Sequence, residues 1–441
     1  MINKVWTIYD KRCIFEAMKV LTDFVQEHIN DDVTRLILDR AKWPDIDMDL
    51  AAACIESRRK LKNKVSEWYE NPGLIFPAKL SAEQCSSTAT GTYKSLLAGK
   101  IASTLSIEGF TMADLTGGLG VDTWFFSKIA SQVHYHEMQE TLCAAAQYNF
   151  KELNTGNIIV KNKISTPETI DDILEAAKPD IVYMDPARRG DNGRKVFLIE
   201  DCTPDVLTLK EHIFRRCRHI LLKLSPMADI SMVCGRLGKT CREVHVVAAG
   251  GECKELLVWM DREWNEDYTV IAVELPAEYP HTKEATFSFK AAEEKISPLT
   301  SFGRNDNMDL FASGQESKDV FLFEPGKALM KAGCFNLISN RLGLKKFGAS
   351  THYYITEDAE QAQILKTYGK VFRIIGCSPL DKRSIKAAGK EYPRSEVSAR
   401  NIPMDTDTLR KKLGVTSGDD AHIFGLKSDS LGNLLLITVR L

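Results

Sequence analysis

The sequence predicts a doubly wound α/β protein, with a parallel Rossmann-like sheet at its centre, an N-terminal helical region before it and small α+β domains after it. Three observations predict this. Between 111 and about 262, short apolar runs alternate with helix-patterned segments, as expected of a parallel sheet covered by crossover helices. Residues 1–100 carry few strand signals and repeat their apolar residues at helical spacing. The last seventy or so residues return to strands, KVFRIIG (370–376) and GNLLLITVRL (432–441), with a helix, MDTDTLRKKLG (404–414), between them.

In chain order, Ile14, Met18, Leu21, Val25 and Ile29 form the stripe of a first helix, with Phe15, Val20 and Phe24 alongside. Asp31 or Asp32 caps a second helix running to Leu38. A third, from Asp49 to Tyr69, carries Arg58, Arg59, Lys60, Lys62 and Lys64 as a basic face, either solvated or turned to a polyanion. The turn NPGLIFPAKL (71–80) breaks the run, and Ser81 with Gln84 fits a capping box. The strands of the sheet are MADLT (112–116), QVHYHEM (132–138), NIIVKN (157–162), DIVYMDP (180–186), HILLKLSP (219–226), REVHVVAA (242–249) and ELLVWMD (255–261). The short GGECK turn (250–254) makes the last two an antiparallel hairpin at one edge. TVIAVEL, ATFSF and the polar loop SFGRNDNMDLFASGQESKD suggest a small α+β insert over 266–320, followed by a helical GKALMKAGCFNLISNRLGL and a strand-like THYYIT. The division expected is 1–100 helical, 101–265 the sheet domain, 266–325 a small α+β module and 326–441 a basic C-terminal domain.

Composition excludes several classes. With 44% hydrophobic and 27% charged residues, a mostly disordered chain is excluded, and a net charge of −2 excludes a wholly basic nucleic-acid coat. No apolar run reaches the roughly 18 residues of a membrane span. The 11 cysteines form no CxxC pair, and their odd number suits a reducing, cytoplasmic setting. His134 and His136 flank Tyr135 on one strand and read as sheet packing, so no metal site is expected.

The chemistry concentrates in two strand ends. In ADLTGGLGVDT (113–123) a strand runs into Asp114, then Gly117, Gly118 and Gly120, then a helix opens near Asp122. Glycines allow a ligand to approach the backbone, and the carboxylate can accept from a ligand ammonium group. Glu137 ends the next strand, 23 residues after Asp114, where an acid can bond two ribose hydroxyls. GxGxxG is absent and Asp114 would repel a pyrophosphate, so the pattern is wrong for NAD; GDNGRK (190–195) lacks P-loop spacing. The second strand end is DIVYMDPARRG (180–190), which places Asp185, Pro186, Ala187, Arg188 and Arg189 where α/β sheets bind ligands.

These residues resemble the class I S-adenosylmethionine (SAM)-dependent methyltransferases: DLTGGLG is similar to their first glycine motif, Glu137 to their ribose acid and DPAR to their catalytic motif. The resemblance implies a seven-stranded sheet with a final hairpin. It implies SAM as cofactor, held by Asp114, Thr116, Gly118, Gly120, Asp122 and Glu137, and catalysis at Asp185, Pro186 and Arg188. With LSAEQCSSTATGTY (80–93) and NIPMDTDTLRKKLGVTSGDDAHIFG (401–425), the chain from about residue 45 onward looks like a bacterial subgroup in which a ferredoxin-like module precedes a C-terminal THUMP-like domain. That domain implies RNA, structured tRNA or rRNA.

Related amino-methyltransferases carry an aromatic ring three residues after the acid of the Asp-Pro motif; here Arg188 stands there, so Asp185 is kept to orient an exocyclic amine while ring stacking is lost. Arginine can itself stack on a base or hold a phosphate. Tyr183 lies inside the strand and does not replace the ring. C5 methylation needs a cysteine nucleophile; Ser225 occupies the loop where one is sought, and Cys202 and Cys217 fall in or near a helix. The run Lys223–Pro226 is a candidate wall of the acceptor pocket. Between 366 and 412, twelve lysines and arginines stand against five acids, and this is where RNA would dock. The competing readings are a methyltransferase fold that binds RNA without catalysis, and a methyltransferase for a protein or small molecule.

Overall fold

The computed structural model describes residues 11–188, 199–296 and 319–441. They form two compact units: the first takes the chain up to His245 with 254–268 and 279–281, and the second takes 246–253, 269–278 and 282 onward.

The first unit opens with helices Lys11–Glu27, Val33–Leu38, Met48–Leu61, Ser66–Glu70, Lys79–Gln84 and Thr88–Ser103. Met18, Leu21, Phe24 and Val25 bury against Leu36, Ala51, Cys54 and Ile55, while Val20 faces solvent. Asp32 is the cap of the second helix, accepting from the Arg35 amide at 3.2 Å. Two local expectations are corrected. Ser81 lies inside the helix Lys79–Gln84; the capping box is formed by Ser87 and Thr90 at the start of Thr88–Ser103. The basic face of 58–64 is divided: Arg59, Lys60 and Lys62 are exposed, whereas Arg58 is buried and donates to the carbonyls of Tyr69, Asn71, Pro72 and Leu74; Arg59 also donates to the carbonyls of Ile29 and Asp31, and the half-buried Lys64 to those of Ala82, Glu83 and Cys85. The donating cations satisfy carbonyls that turns and helix ends leave unpaired.

The sheet of this unit contains β1 (Thr111–Asp114), β2 (Gln132–Glu137), β3 (Ile158–Asn162) and β4 (Ile181–Met184). A ribbon of β5 (Ala187–Arg188) with β6 (Cys202–Thr203) follows, then β7 (His219–Leu224), β8 (Cys241–Ala249) and β9 (Glu252–Asp261). These seven of the nine strands of the sheet follow the order β3-β2-β1-β4-β7-β9-β8, with β3, β2, β1, β4 and β7 parallel and β9 antiparallel to β7; residues 246–253, the end of β8 and the start of β9, are counted with the second unit. β1 and β4 are buried over most of their length, which is why they read as continuous apolar runs. The order reverses between β1 and β4, and the crevice at such a reversal is where open α/β sheets hold ligands.

The second unit holds an antiparallel pair, β10 (Thr269–Leu275) and β11 (Ala285–Lys290), followed by a short helix, Ala291–Ile296. Its larger sheet is built from β12 (Phe321–Pro325), β13 (Lys345–Lys346), β14 (Tyr354–Thr356), β15 (Gly369–Pro379), β16 (Arg394–Arg400), β17 (Thr416–Ser428) and β18 (Gly432–Arg440). The order is β13-β14-β12-β15-β18-β17-β16. β15 and β18 are direct antiparallel neighbours, and between them in sequence stand two helices, Lys382–Glu391 and Thr406–Leu413, with β16 and β17. Both helices pack on one side: Ile385, Ala388, Leu409 and Leu413 meet Val397, Ile423, Leu435 and Ile437. Asp381 and Asp405 cap them. Much of the polar loop expected near 301–319 lies outside the described residues. Among the described residues no helix is long and apolar enough to cross a membrane.

Candidate active site

β1 ends at Asp114 because the chain must leave the sheet through Gly117–Gly120. A side chain at Gly117 would enter the ring of Tyr135 and one at Gly120 that of Phe150, and Gly118 and Gly120 take positive φ (55° and 86°). Asp114 is buried beneath this turn. One oxygen accepts from the Thr116 amide (3.0 Å), the other from the Thr123 hydroxyl (2.6 Å). Burial pushes its pKa up to about 7, against the lowering effect of those bonds. Glu137, at the end of β2, accepts from the amides of Gly118 (2.9 Å) and Gln139 (2.7 Å), so one carboxylate fixes the turn and its own strand end. The Tyr135 hydroxyl donates to the Gly118 carbonyl.

The Thr116 hydroxyl accepts from the Asp185 amide at 2.6 Å, tying the glycine turn to the end of β4. A cavity of about 460 Å³ opens over both strand ends, within the range of small-ligand sites. Asp114, Thr116, Gly118, Gly120, Asp122, Glu137 and Asp185 all line it. The N-terminal region contributes one wall through Leu80, Ser81, Gln84, Cys85 and Ser86. Pro186 is buried and does not line the cavity; the Arg188 side chain and Arg189 lie outside the described residues.

Behind Asp185 runs a buried chain of charges. Lys223, on β7, donates to the Asp185 carboxylate at 2.5 Å. Lys94, on helix Thr88–Ser103, donates to both oxygens of Glu255 (2.8 and 2.9 Å) and to the Ser86 hydroxyl (2.7 Å), and stands 3.3 Å from Asp122. Asp122 accepts from the Tyr183 hydroxyl at 2.7 Å. Burial pulls the Lys223 pKa down, but Asp185, Glu255 and Asp122 outweigh it and hold the ammonium form well above its ordinary range. Burial likewise raises Asp122, yet Lys94 and Lys223 outweigh it and leave its carboxyl below the ordinary value. Glu255 is shifted upward, burial dominating.

Lys94 and Glu255 escape sequence reading because each looks like the charged edge of an apolar element. The available signal was a lysine inside TYKSLLAG, on a helix whose neighbours are small or apolar. Cys85 lines the cavity, but burial pushes its thiol up to about 11, and Cys217 is buried with its thiol near 12. Ser225 accepts from the Met227 amide in the turn after β7. His134 and His136 are both buried on β2, and among the described residues no cluster of His, Cys, Asp or Glu could hold a metal ion.

A ferredoxin-like domain model matches residues 321–362 and a THUMP domain-like model residues 369–439. The sequence reading places the ferredoxin-like module earlier, at 266–325. No curated protein matches the chain. Among solved structures, a candidate methyltransferase from Porphyromonas gingivalis W83 is similar over 98% of this chain and 100% of its own, at 29% identity and a TM-score of 0.80. A candidate methyltransferase from Streptococcus mutans in complex with S-adenosylhomocysteine matches 38% of this chain and 96% of its own, at 17% identity and a TM-score of 0.27. The Thermus thermophilus 16S rRNA N2 G1207 methyltransferase, in complex with AdoMet and guanosine, matches 38% and 43%, at 17% and 0.27. The strand order and the full-length match agree: the chain has the class I SAM-dependent methyltransferase fold and carries a THUMP-like domain at its C-terminus.

Proposed function

We propose that this protein is a SAM-dependent methyltransferase that acts on structured RNA, tRNA or rRNA. The observation that carries the proposal is the single cavity onto which the glycine turn, Glu137 and Asp185 all open. These residues fit SAM: a turn without side chains at Gly118 and Gly120, a carboxylate at Glu137 to accept from a ribose, and Asp114 to accept from an ammonium group. Bound there, the cofactor supplies a methyl group on a positively charged sulfur. Thr116, bonded to the Asp185 amide, keeps the cofactor turn and the acceptor side in fixed register, so transfer relies on alignment. Asp185 can serve two types of RNA acceptor, an exocyclic amine or a ribose hydroxyl, because either must lose a proton.

RNA is supported by the THUMP domain-like match and by the surface beneath it. Lys382, Arg383, Lys386 and Lys390 on one helix and Lys411 and Lys412 on its neighbour are exposed, and the two helices share one side of the sheet. Such a face suits phosphates, whose contacts supply most non-specific affinity. We assign cofactor and chemistry to 101–265 and RNA docking to the basic region 366–412. The test is calorimetric titration with SAM and S-adenosylhomocysteine, followed by transfer of a labelled methyl group to RNA. Micromolar binding and label in RNA are expected. RNA binding without label transfer would instead establish a binding protein that keeps the fold.

A further inference from the structure

The Asp-Pro strand end by itself fits an exocyclic amine, yet Asp185 is not a free acceptor. The Lys223 ammonium is 2.5 Å from its carboxylate. Asp185 is also the member of the charge cluster that meets the cavity: its side chain is 35% exposed, against 13% for Lys223, 12% for Asp122, 3% for Glu255 and none for Lys94. In this cluster three carboxylates, Asp122, Asp185 and Glu255, face two ammonium groups, Lys94 and Lys223. The adjacent cation favours negative charge on the acceptor atom. An amine nitrogen becomes positive as it is methylated, and the same ammonium would oppose it. Among the described residues the walls of the cavity also give a planar base little to stack on. The apolar part of this described lining is chiefly aliphatic (Leu80, Leu115, Leu119, Leu142, Ile164, Leu209), and its aromatic residue, Tyr183, is buried in β4 with its hydroxyl on Asp122.

We propose that the acceptor atom is an oxygen, the ribose 2′-hydroxyl of RNA, with Asp185 taking its proton and Lys223 acting as the positioning residue that holds Asp185. This deepens the methyltransferase reading and rests on it. The hydroxyl oxygen bonds to the methyl carbon as the carbon–sulfur bond breaks. The electron pair of that bond stays on sulfur, which loses its charge, and the hydroxyl proton passes to the Asp185 carboxylate. Within an RNA strand the hydroxyl present at every nucleotide is the 2′-OH, which fixes the class of acceptor.

The full chain is incubated with SAM labelled in the methyl group and RNA from cells lacking the protein, and the product is hydrolysed in alkali. Alkali cleaves RNA through the 2′-oxygen, so a methylated 2′-oxygen leaves its nucleotide joined to the next. Label in alkali-stable dinucleotides is the expected result. Label in mononucleotides, from a methylated base, overturns the oxygen acceptor and leaves the methyltransferase reading standing. Absence of label from RNA overturns both. Lys223→Met is expected to lower kcat about 100-fold or more with SAM affinity unchanged, and Lys223→Arg to restore part of the rate. A Lys223→Met enzyme as fast as the unsubstituted one overturns the role of Lys223.

Discussion

The two units use charge in opposite ways. The first buries Lys94, Asp122 and Glu255 around Lys223 and lets the cluster reach a cavity at Asp185. The second keeps its cations outside: Lys382, Arg383, Lys386, Lys390, Lys411 and Lys412 ride on helices whose opposite faces, Ile385, Ala388, Leu409 and Leu413, form the core. Burying an ion is costly and rarely adds net stability, so packing alone does not account for this cluster. Exposed lysines cost the fold almost nothing and are free to meet a polyanion. On the function proposed above, the contrast would separate chemistry from docking, and each side can be broken alone.

The largest effect is expected at Lys94. Lys94→Met leaves Glu255 and Asp122 buried without their partner, which should cost about 3–5 kcal/mol in denaturant unfolding of the full chain. Lys386→Met, on an exposed helix face, should change stability by less than about 0.5 kcal/mol. Equal losses would erase the contrast.

Next comes Asp185→Ala. Its amide bond to Thr116 survives the substitution, so the cavity keeps its shape while the carboxylate is lost. Methyl transfer should fall roughly 100- to 10,000-fold with SAM affinity changed less than about twofold. Retained turnover would remove Asp185 from the chemistry.

The same contrast explains how much was legible in the sequence. Parallel strands buried on both faces announce themselves as apolar runs, and a turn that excludes side chains announces itself as Gly117, Gly118 and Gly120. The strand ends carrying Asp114, Glu137 and Asp185 followed from those two signals, and all three line one cavity. The charge cluster did not, because Lys94, Lys223 and Glu255 come from a helix and two strands far apart in sequence, and pairing across such distances leaves no local pattern. β16 and β17 were hidden for a different reason. Arg394–Arg400 and the first half of Thr416–Ser428 alternate or cluster polar residues, as strands near a sheet edge with one wet face do. The inward turn of Arg58 and Lys64 was likewise invisible, since a cation that caps carbonyls and one that faces water look the same in a sequence.

On the docking side, replacing Lys382, Lys386 and Lys390 together by glutamine should weaken RNA binding by about 10- to 100-fold at low salt. It should also reduce the slope of log affinity against log salt by about 2–3, because each lost phosphate contact releases fewer counterions. SAM affinity should be untouched. A salt slope identical to that of the unsubstituted chain would move docking elsewhere.

The smallest effect concerns the cofactor side and its sign is fixed by Asp114. Burial raises this carboxyl to about 7, so below that pH the folded protein holds a proton that a bound ammonium group would displace. Binding therefore releases a proton at pH 6 and releases little at pH 8. SAM affinity should rise severalfold from pH 6 to about 7.5 as the carboxylate becomes charged, and fall again above about pH 8 as the ligand's own amino group loses its proton. Asp114→Asn keeps a polar group against Thr116 and Thr123 but cannot ionise, so its weaker binding should lose the rise. Calorimetry in two buffers of different ionisation enthalpy reads the proton directly. A rise that persists in Asp114→Asn would assign the titration to another group and leave Asp114 as a strut of the glycine turn, bonded only to Thr116 and Thr123.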